Sequence, residues 1–399
     1  MKYYQDLETG LIHAFEDDVD PRTLDNTPPF LSADIKQKPD DSYVWYQGDW
    51  VKQEELPFEY KSPVSSVPSY NPAWMGYLLP YTAVYRSETS GLGISLDQVN
   101  ANFYDGDKLA EVVATLPLDT PSGLDALISY DGAIAIPQCK NFPNNAEGIL
   151  ELNKIFCSLL LGGIHTEVLH PERLDIGSLQ EKKLFAYKPS IHNALRLKWA
   201  ALPERLAPLM FPRVLMVKDI QDAYRQGQQV IKAIANFSPF FLLNGYSAMV
   251  SRNNSDALNN LWIAVEQITT RIWGDLYLKR FKNRDLPSHV MERHSCLKSK
   301  NKIKNIDAKQ ELLELSKVIS NECHDALSQA RKKRNNLVHQ GAAPDLQVIE
   351  MLWRVLPELI ETASGIGPLG MRKLGSVGKS DSEIPEKVNF DDWMTLKYS

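Results

Sequence analysis

The stretch Arg331-Lys332-Lys333-Arg334-Asn335-Asn336-Leu337-Val338-His339-Gln340-Gly341 reads as the C-terminal end of a long helix. Leu312, Leu315, Ile319, Cys323, Ala326, Ala330 and Leu337 recur at helical spacing, so one continuous helix is expected up to Gln340-Gly341, where glycine supplies a left-handed stop. Upstream, Leu258, Leu261, Trp262, Val265, Ile268 and Ile272 mark one face of another helix, with Ser255 or Asp256 as its cap. Downstream, Pro344 and Asp345 suit the first turn of a third, along which Leu346, Ile349, Trp353, Leu356 and Ile360 share one side. Pro357 is expected to kink it. The C-terminal third is therefore expected to be an all-α bundle.

A helical wheel drawn from Cys323 puts Ala330 near about 340° and Leu337 near about 320°, and Arg334 falls near about 20°, inside the apolar stripe. A guanidinium there needs a partner. The structural explanation is an ion pair with Glu266 or Glu322. The functional one looks to His339, five residues on, and to the neighbouring cations. Arginine holds phosphate with a rigid fork of donors, and histidine exchanges protons near neutral pH. His339 lies about 140° around the wheel from Arg334, but it adjoins the stop at Gly341, where the wheel is expected to lose its hold on side-chain direction. Asn335, four residues before His339, is placed to orient the imidazole.

The whole chain of 399 residues carries a formal charge of −6, which excludes a generically basic nucleic-acid binder. The charge is uneven: between Lys279 and Lys304 nine Lys/Arg face two acids, Asp285 and Glu292, so a confined polyanion site or a solvated loop is expected there. Cys139, Cys157, Cys296 and Cys323 are scattered singly, against a disulfide framework or zinc ribbon. No run approaches the roughly 18 apolar residues of a membrane span, and Met1-Lys2-Tyr3-Tyr4 opens no signal peptide. The expectation is a cytoplasmic protein with no membrane association.

Residues 1 to about 60 read as a small β-rich module. Within it Tyr43-Val44-Trp45-Tyr46, a turn at Gln47-Gly48-Asp49, and Trp50-Val51 form a hairpin. The acidic group at 16–20 lacks the glycine and terminal glutamate of a calcium loop. Residues 61–235 read as an α+β middle domain, with a helix from Leu150 to Leu161 stopped by Gly162-Gly163, strand-like pieces between Pro171 and Tyr187, and a helix from Asp219 to about Phe237. Residues 236–365 form the bundle, and the glycine-rich 366–399 an extended tail. The fold class is α+β, a β-containing N-terminal region followed by an all-α bundle.

Arg334-Asn335-Asn336-Leu337-Val338-His339 resembles the R-x4-H motif of HEPN-domain proteins, including the asparagine directly after the arginine. Leu261-Trp262-Ile263-Ala264-Val265-Glu266 resembles the first-helix signature of the ApeA-like branch of that superfamily, and Phe237 to Val250 resembles the helix before it. The likeness covers residues 236 to 365. It implies a HEPN helical bundle that forms a homodimer, with two motifs lining one cleft, and a metal-independent endoribonuclease of toxin, abortive-infection or CRISPR-associated systems that needs no cofactor. His339 would assist attack of a ribose 2′-OH, Arg334 would stabilise charge on the phosphate, Asn335 would position one of them, and Glu266 would hold Arg334. Arg331, Lys332, Lys333, Lys298, Lys300 and Lys302 would contact the RNA backbone. Antiphage defence follows from the resemblance alone, with residues 1–235 sensing or restraining the nuclease and a phage protein as trigger. The alternatives are an inactive HEPN dimerisation or RNA-binding module, and a phage-component receptor.

Tyr3-Tyr4, Trp45 and Trp50 resemble short N-terminal pieces of prophage tail-fibre-associated proteins, which assigns no chemistry. Gly162-Gly163 with Asp175 resembles part of a nucleotidyltransferase motif, but Ile176-Gly177 stands where a second acid is required. Gly375 to Ser380 lacks the leading glycine of a phosphate loop. His165 and His170, near Glu167 and Glu172, lack a third ligand at metal spacing and read as turn histidines, while His289 and His294 fall in the basic connection.

Overall fold

A computed structural model describes strands within residues 2–52, then residues 71–86, 104–121, 123–198, 209, 212–278 and 305–374. A mixed β/α N-terminal part precedes a largely α-helical C-terminal third, and the chain groups into two compact units that divide after Tyr70.

The first unit contains β1 (Lys2–Asp6), β2 (Ile12–Phe15) and β3 (Phe30–Ser32), ordered β2-β1-β3 and antiparallel. The expected hairpin is present as β4 (Tyr43–Tyr46) against β5 (Asp49–Lys52), with Trp45 opposite Trp50. Asp49, read from the sequence as part of the turn, belongs to the second strand.

In the second unit, β6 (Asn71–Tyr77), β8 (Val112–Pro117), β9 (Asp125–Ser129), β10 (Ala133–Pro137), β11 (Asp175–Gln180) and β12 (Lys183–Ala186) make a six-stranded antiparallel sheet of order β12-β11-β6-β10-β9-β8. Beside it, β7 (Thr82–Tyr85) pairs in parallel with β13 (Arg213–Met216). Alternation along β6 sends Trp74 and Gly76 to one face of the sheet and Ala73, Met75 and Tyr77 to the other. A four-residue helix α1 (Gly106–Leu109) precedes β8.

Helix α2 (Asn145–Leu161) lies on the Trp74 face, capped by Asn144, whose side chain accepts from Glu147 N. Its second half, Ile155 to Leu161, is buried on every side because the sheet covers one flank and helices the other. It ends where the sequence places the stop, with Gly163 at φ +94°. The short helix α3 (Ile191–Arg196) follows β12. Helix α4 (Val217–Ala233) crosses α2 at Gly227, where a Cβ would collide with the Ser158 carbonyl.

The helical third comprises α5 (Pro239–Val250), α6 (Asn254–Arg271), α7 (Ile306–Leu315), α8 (Asn321–Gln340) and α9 (Leu346–Ser364). Three local expectations change. Asn253, not Ser255 or Asp256, caps α6, and that helix runs on into a π-helical turn, Ile272–Tyr277. The long second helix is two, because Lys317 turns left-handed (φ 52°) and Ser320 opens a new N-terminus. Asp345 takes the cap position of α9, so Pro344 precedes the helix; Pro357 lies within it and the helix continues to Ser364.

One apolar core runs from Trp74 of the sheet through α2 into Trp262, Leu327 and Leu356 of the bundle, with no break at residue 235. After Ser364 the chain turns back, and Leu369 and Met371 are buried beside α2 and α9. The basic strip at 279–304, the phosphate-loop-like 375–380, and residues 16–20 lie outside the described residues. Among the described residues no helix is long and apolar enough to cross a membrane.

Candidate functional site

Helix α8 is anchored at its N-terminus and bare at its C-terminus. Ser320 Oγ accepts from Cys323 N (3.1 Å), while Ser320 N and Oγ donate to the two carboxylate oxygens of Glu358 on α9 (2.6 and 2.7 Å). Cys323, Ala326, Leu327 and Ala330 then form the buried stripe. Past Ala330 burial stops. Arg331, Lys333, Arg334 and Leu337 are half-buried, and Lys332, Asn335, Asn336, Val338, His339 and Gln340 are exposed. The helix stays regular through Gln340 and closes on Gly341 (φ 68°), whose N–H donates to Leu337 O at 3.0 Å. The wheel therefore still governs His339. It stands about 140° around and about 7.5 Å along the axis from Arg334, so one chain does not converge the two on a single atom.

Arg334 has the most informative surroundings. Its Nε is buried and has no hydrogen-bond partner, and no carboxylate pairs with its guanidinium among the described residues. Both partners of the ion-pair explanation are engaged elsewhere or distant. Glu266 accepts from Trp262 Nε1 at 2.7 Å, one helical turn away, and lines a recess of about 400 Å³ with Asn236, Gln267 and Arg271. Glu322 sits in the first turn of α8, at the opposite end of the helix. No hydrogen bond joins Asn335 to His339, or Glu266 to Arg334, among the described residues.

The other cations of the motif divide. Arg331 is paired with Asp307 of α7 at 2.5 Å, and Lys333 with Asp345 at 2.9 Å. Lys332 is exposed. Lys298, Lys300 and Lys302 lie outside the described residues.

Two further clusters involve the α/β side. In the first, Arg196 of α3 holds Asp131 from the β9–β10 turn through Nε to Oδ2 and Nη2 to Oδ1, both 2.7 Å. Nη1 donates to Leu184 O at 2.7 Å, and Ser129 Oγ donates to Asp131 Oδ1 at 2.6 Å. Burial works against ionisation of Asp131, but the Arg196 charge and hydrogen bonds outweigh it and hold the carboxyl below its usual range. His192, one turn before Arg196, is stacked between Tyr77 and Tyr81. Burial, aided by Arg196, lowers its pKa to about 4. Asp131 and Arg196 lie 65 residues apart in sequence, and no spacing announces the pair.

In the second cluster His165 departs from the turn-histidine expectation. Its Nδ1 lies 2.8 Å from the Tyr246 hydroxyl of α5, in a bond whose direction depends on the imidazole tautomer, and its carbonyl accepts from Arg213 Nη1 at 2.5 Å. The Tyr246 ring lies tilted by 31° against that of Trp353 of α9, ring centroids 4.6 Å apart. Val168 N donates to Ser247 Oγ at 2.7 Å. The loop after α2 is thereby fixed to the bundle. Among the described residues no group of three or more His, Cys, Asp or Glu is arranged to hold a metal ion.

No family model, curated protein or solved structure matches this chain.

Proposed function

We propose that this protein is a metal-independent endoribonuclease of HEPN type, acting as a toxin or abortive-infection effector in antiphage defence. The observation that carries the chemistry is the unpartnered Arg334 guanidinium on the same bare helix end as the exposed His339. A buried cationic group is costly without a partner, and the half-buried Arg334 has no carboxylate among the described residues. In the proposed reaction the 2′-oxygen of a ribose attacks the adjacent phosphorus. A 2′-O–P bond forms as the P–O5′ bond breaks, leaving a 2′,3′-cyclic phosphate and a 5′-hydroxyl. His339 takes the 2′-OH proton or supplies one to the departing 5′-oxygen, and Arg334 binds the phosphate oxygens where negative charge accumulates.

The angle between Arg334 and His339 gives the homodimer its purpose. Two α8 ends brought together would put the arginine of one copy beside the histidine of the other, in a shared groove. Lys332 is the exposed cation for backbone contact, whereas Arg331 and Lys333 would first have to leave their carboxylates. In this proposal residues 1–235 sense a phage protein or restrain the nuclease.

The test is RNA cleavage by the wild type and His339→Ala in nuclease-free preparations. Cleavage should fall by roughly 10²–10⁴-fold, with cyclic-phosphate ends in the wild type and no effect of EDTA. Equal cleavage by both would refute the assignment. The splay between the two residues favours one alternative, an inactive HEPN module that dimerises or binds RNA. That alternative expects retention of RNA without cleavage under any trigger and no growth phenotype for His339→Ala.

A further inference from the structure

Two of the four cations at 331–334 face a carboxylate, and the two pairs differ in kind. Arg331 and Asp307 have side chains 23% and 37% exposed, and they tie α8 to the first turn of α7. Lys333 and Asp345 are 44% and 70% exposed, and their contact of 2.9 Å joins α8 to the start of α9. Exposed ion pairs are weak and are screened by salt, so the second pair opens at little cost.

Asp345 has a second use for its carboxylate. It occupies the cap position of α9 with extended backbone (φ −73°, ψ 145°), and aspartate is among the residues that cap a helix best. Its side chain nevertheless makes no capping bond, and Oδ2 accepts from Lys333 Nζ instead. The backbone around it is anchored. Pro344 is buried, its carbonyl accepts from Asn254 Nδ2 at 3.1 Å, and Val348 N donates to Asp345 O at 3.2 Å. Rotation of the Asp345 side chain alone therefore carries the carboxylate from Lys333 towards the first-turn N–H groups of α9. A capping bond and an exposed ion pair are of comparable strength, so the carboxylate is poised between the two. A phosphate arriving at Lys333 tips that balance. It takes over as counter-charge and repels the carboxylate, which has N–H donors one rotation away.

We propose that Asp345 holds Lys333 in the absence of RNA and turns to cap α9 when an RNA phosphate takes Lys333. This rests on the reading of the α8 end as an RNA site, whether or not that site cleaves. The probe is fluorescein-labelled 2′-O-methyl oligo(U), which keeps every phosphate and has no 2′-OH to attack; its binding to the full-length protein is followed by anisotropy. Asp345→Asn keeps a capping oxygen and loses the charge, so it should tighten binding by about three- to tenfold at low salt. The gain should shrink as salt rises. In Lys333→Met, which lacks the cation, the same replacement should change binding by less than about twofold. In the wild type, hydrogen exchange at the Gln347 and Val348 amides should slow when the oligonucleotide is added; in Asp345→Ala, which has no capping oxygen, it should not. Oligonucleotide binding without tightening in Asp345→Asn, equal tightening with and without Lys333, or unchanged exchange at those amides would overturn the switch and leave the RNA reading standing. No binding by any of these proteins would overturn both.

Discussion

Replacing Arg196 by Met tests whether the Asp131–Arg196 pair holds the α/β unit together. The substitution keeps most of the side-chain volume and removes the bonds to both Asp131 oxygens, to Leu184 O and to Ser129 Oγ. It also removes the guanidinium 5.5 Å from the Tyr77 ring centre. Asp131, 0% exposed, keeps the hydrogen bond from Ser129 Oγ but loses its counter-charge. Losing one member of a buried ion pair costs about 3–5 kcal/mol, because the other charge stays desolvated and uncompensated. At about 2–4 °C per kcal/mol for a unit of this size, the melting midpoint should fall by roughly 6–20 °C at pH 7. The pH dependence has a definite sign. In the wild type the folded pKa of Asp131 is depressed, so its contribution is present above the unfolded value of about 3.9 and lost as pH falls through the folded value. In the variant the carboxylate is unpaired, so the deficit should be largest at neutral pH and shrink as acid protonates it. Circular-dichroism melts of the wild type, Arg196→Met and the double variant with Asp131→Leu would decide the matter. The double variant should recover much of the loss, since an apolar pair leaves no charge buried. A single-variant loss below about 1 kcal/mol, or a double variant no better than the single, would refute the reasoning.

Burial and Arg196 lower the His192 pKa from the usual 6.5 to about 4, so the unfolded chain binds a proton that the folded chain refuses. Stability should therefore decline as pH falls from about 6.5 to about 4, by up to about 3 kcal/mol from this group, and His192→Phe should flatten that slope in urea titrations. Ser320→Ala removes the cap of α8 and a bond to Glu358, and should cost about 1–2 kcal/mol in chemical denaturation; no measurable loss would mean the cap does not hold that end. Gly227→Ala drives a methyl into the Ser158 carbonyl where α4 crosses α2, and should lower stability by about 1–3 kcal/mol; a neutral or stabilising result would show that the helices separate freely.

Local physics makes several elements legible in the chain itself. The pairing of strands 43–46 and 49–52, the apolar run of α2 with its glycine stop, and the closure of α8 on Gly341 depend on neighbours within a few residues, and all three are present. The division of the chain into a β-containing part and a helical third is legible for the same reason, since helical and extended periodicities differ. Other features lie beyond any window of that width. Ser320 opens a new helix where Glu358, 38 residues away, accepts from both its donors. Asp131 meets Arg196 across 65 residues, and His165 meets Tyr246 across 81. The sequence nominated Arg334 and His339, but only packing decided that Arg334 has no carboxylate among the described residues. Periodicity and capping are governed by bonds one turn long, so the chain itself specifies them. Which charge finds a partner, and which is left without one, depends on the surfaces that burial brings together from distant segments.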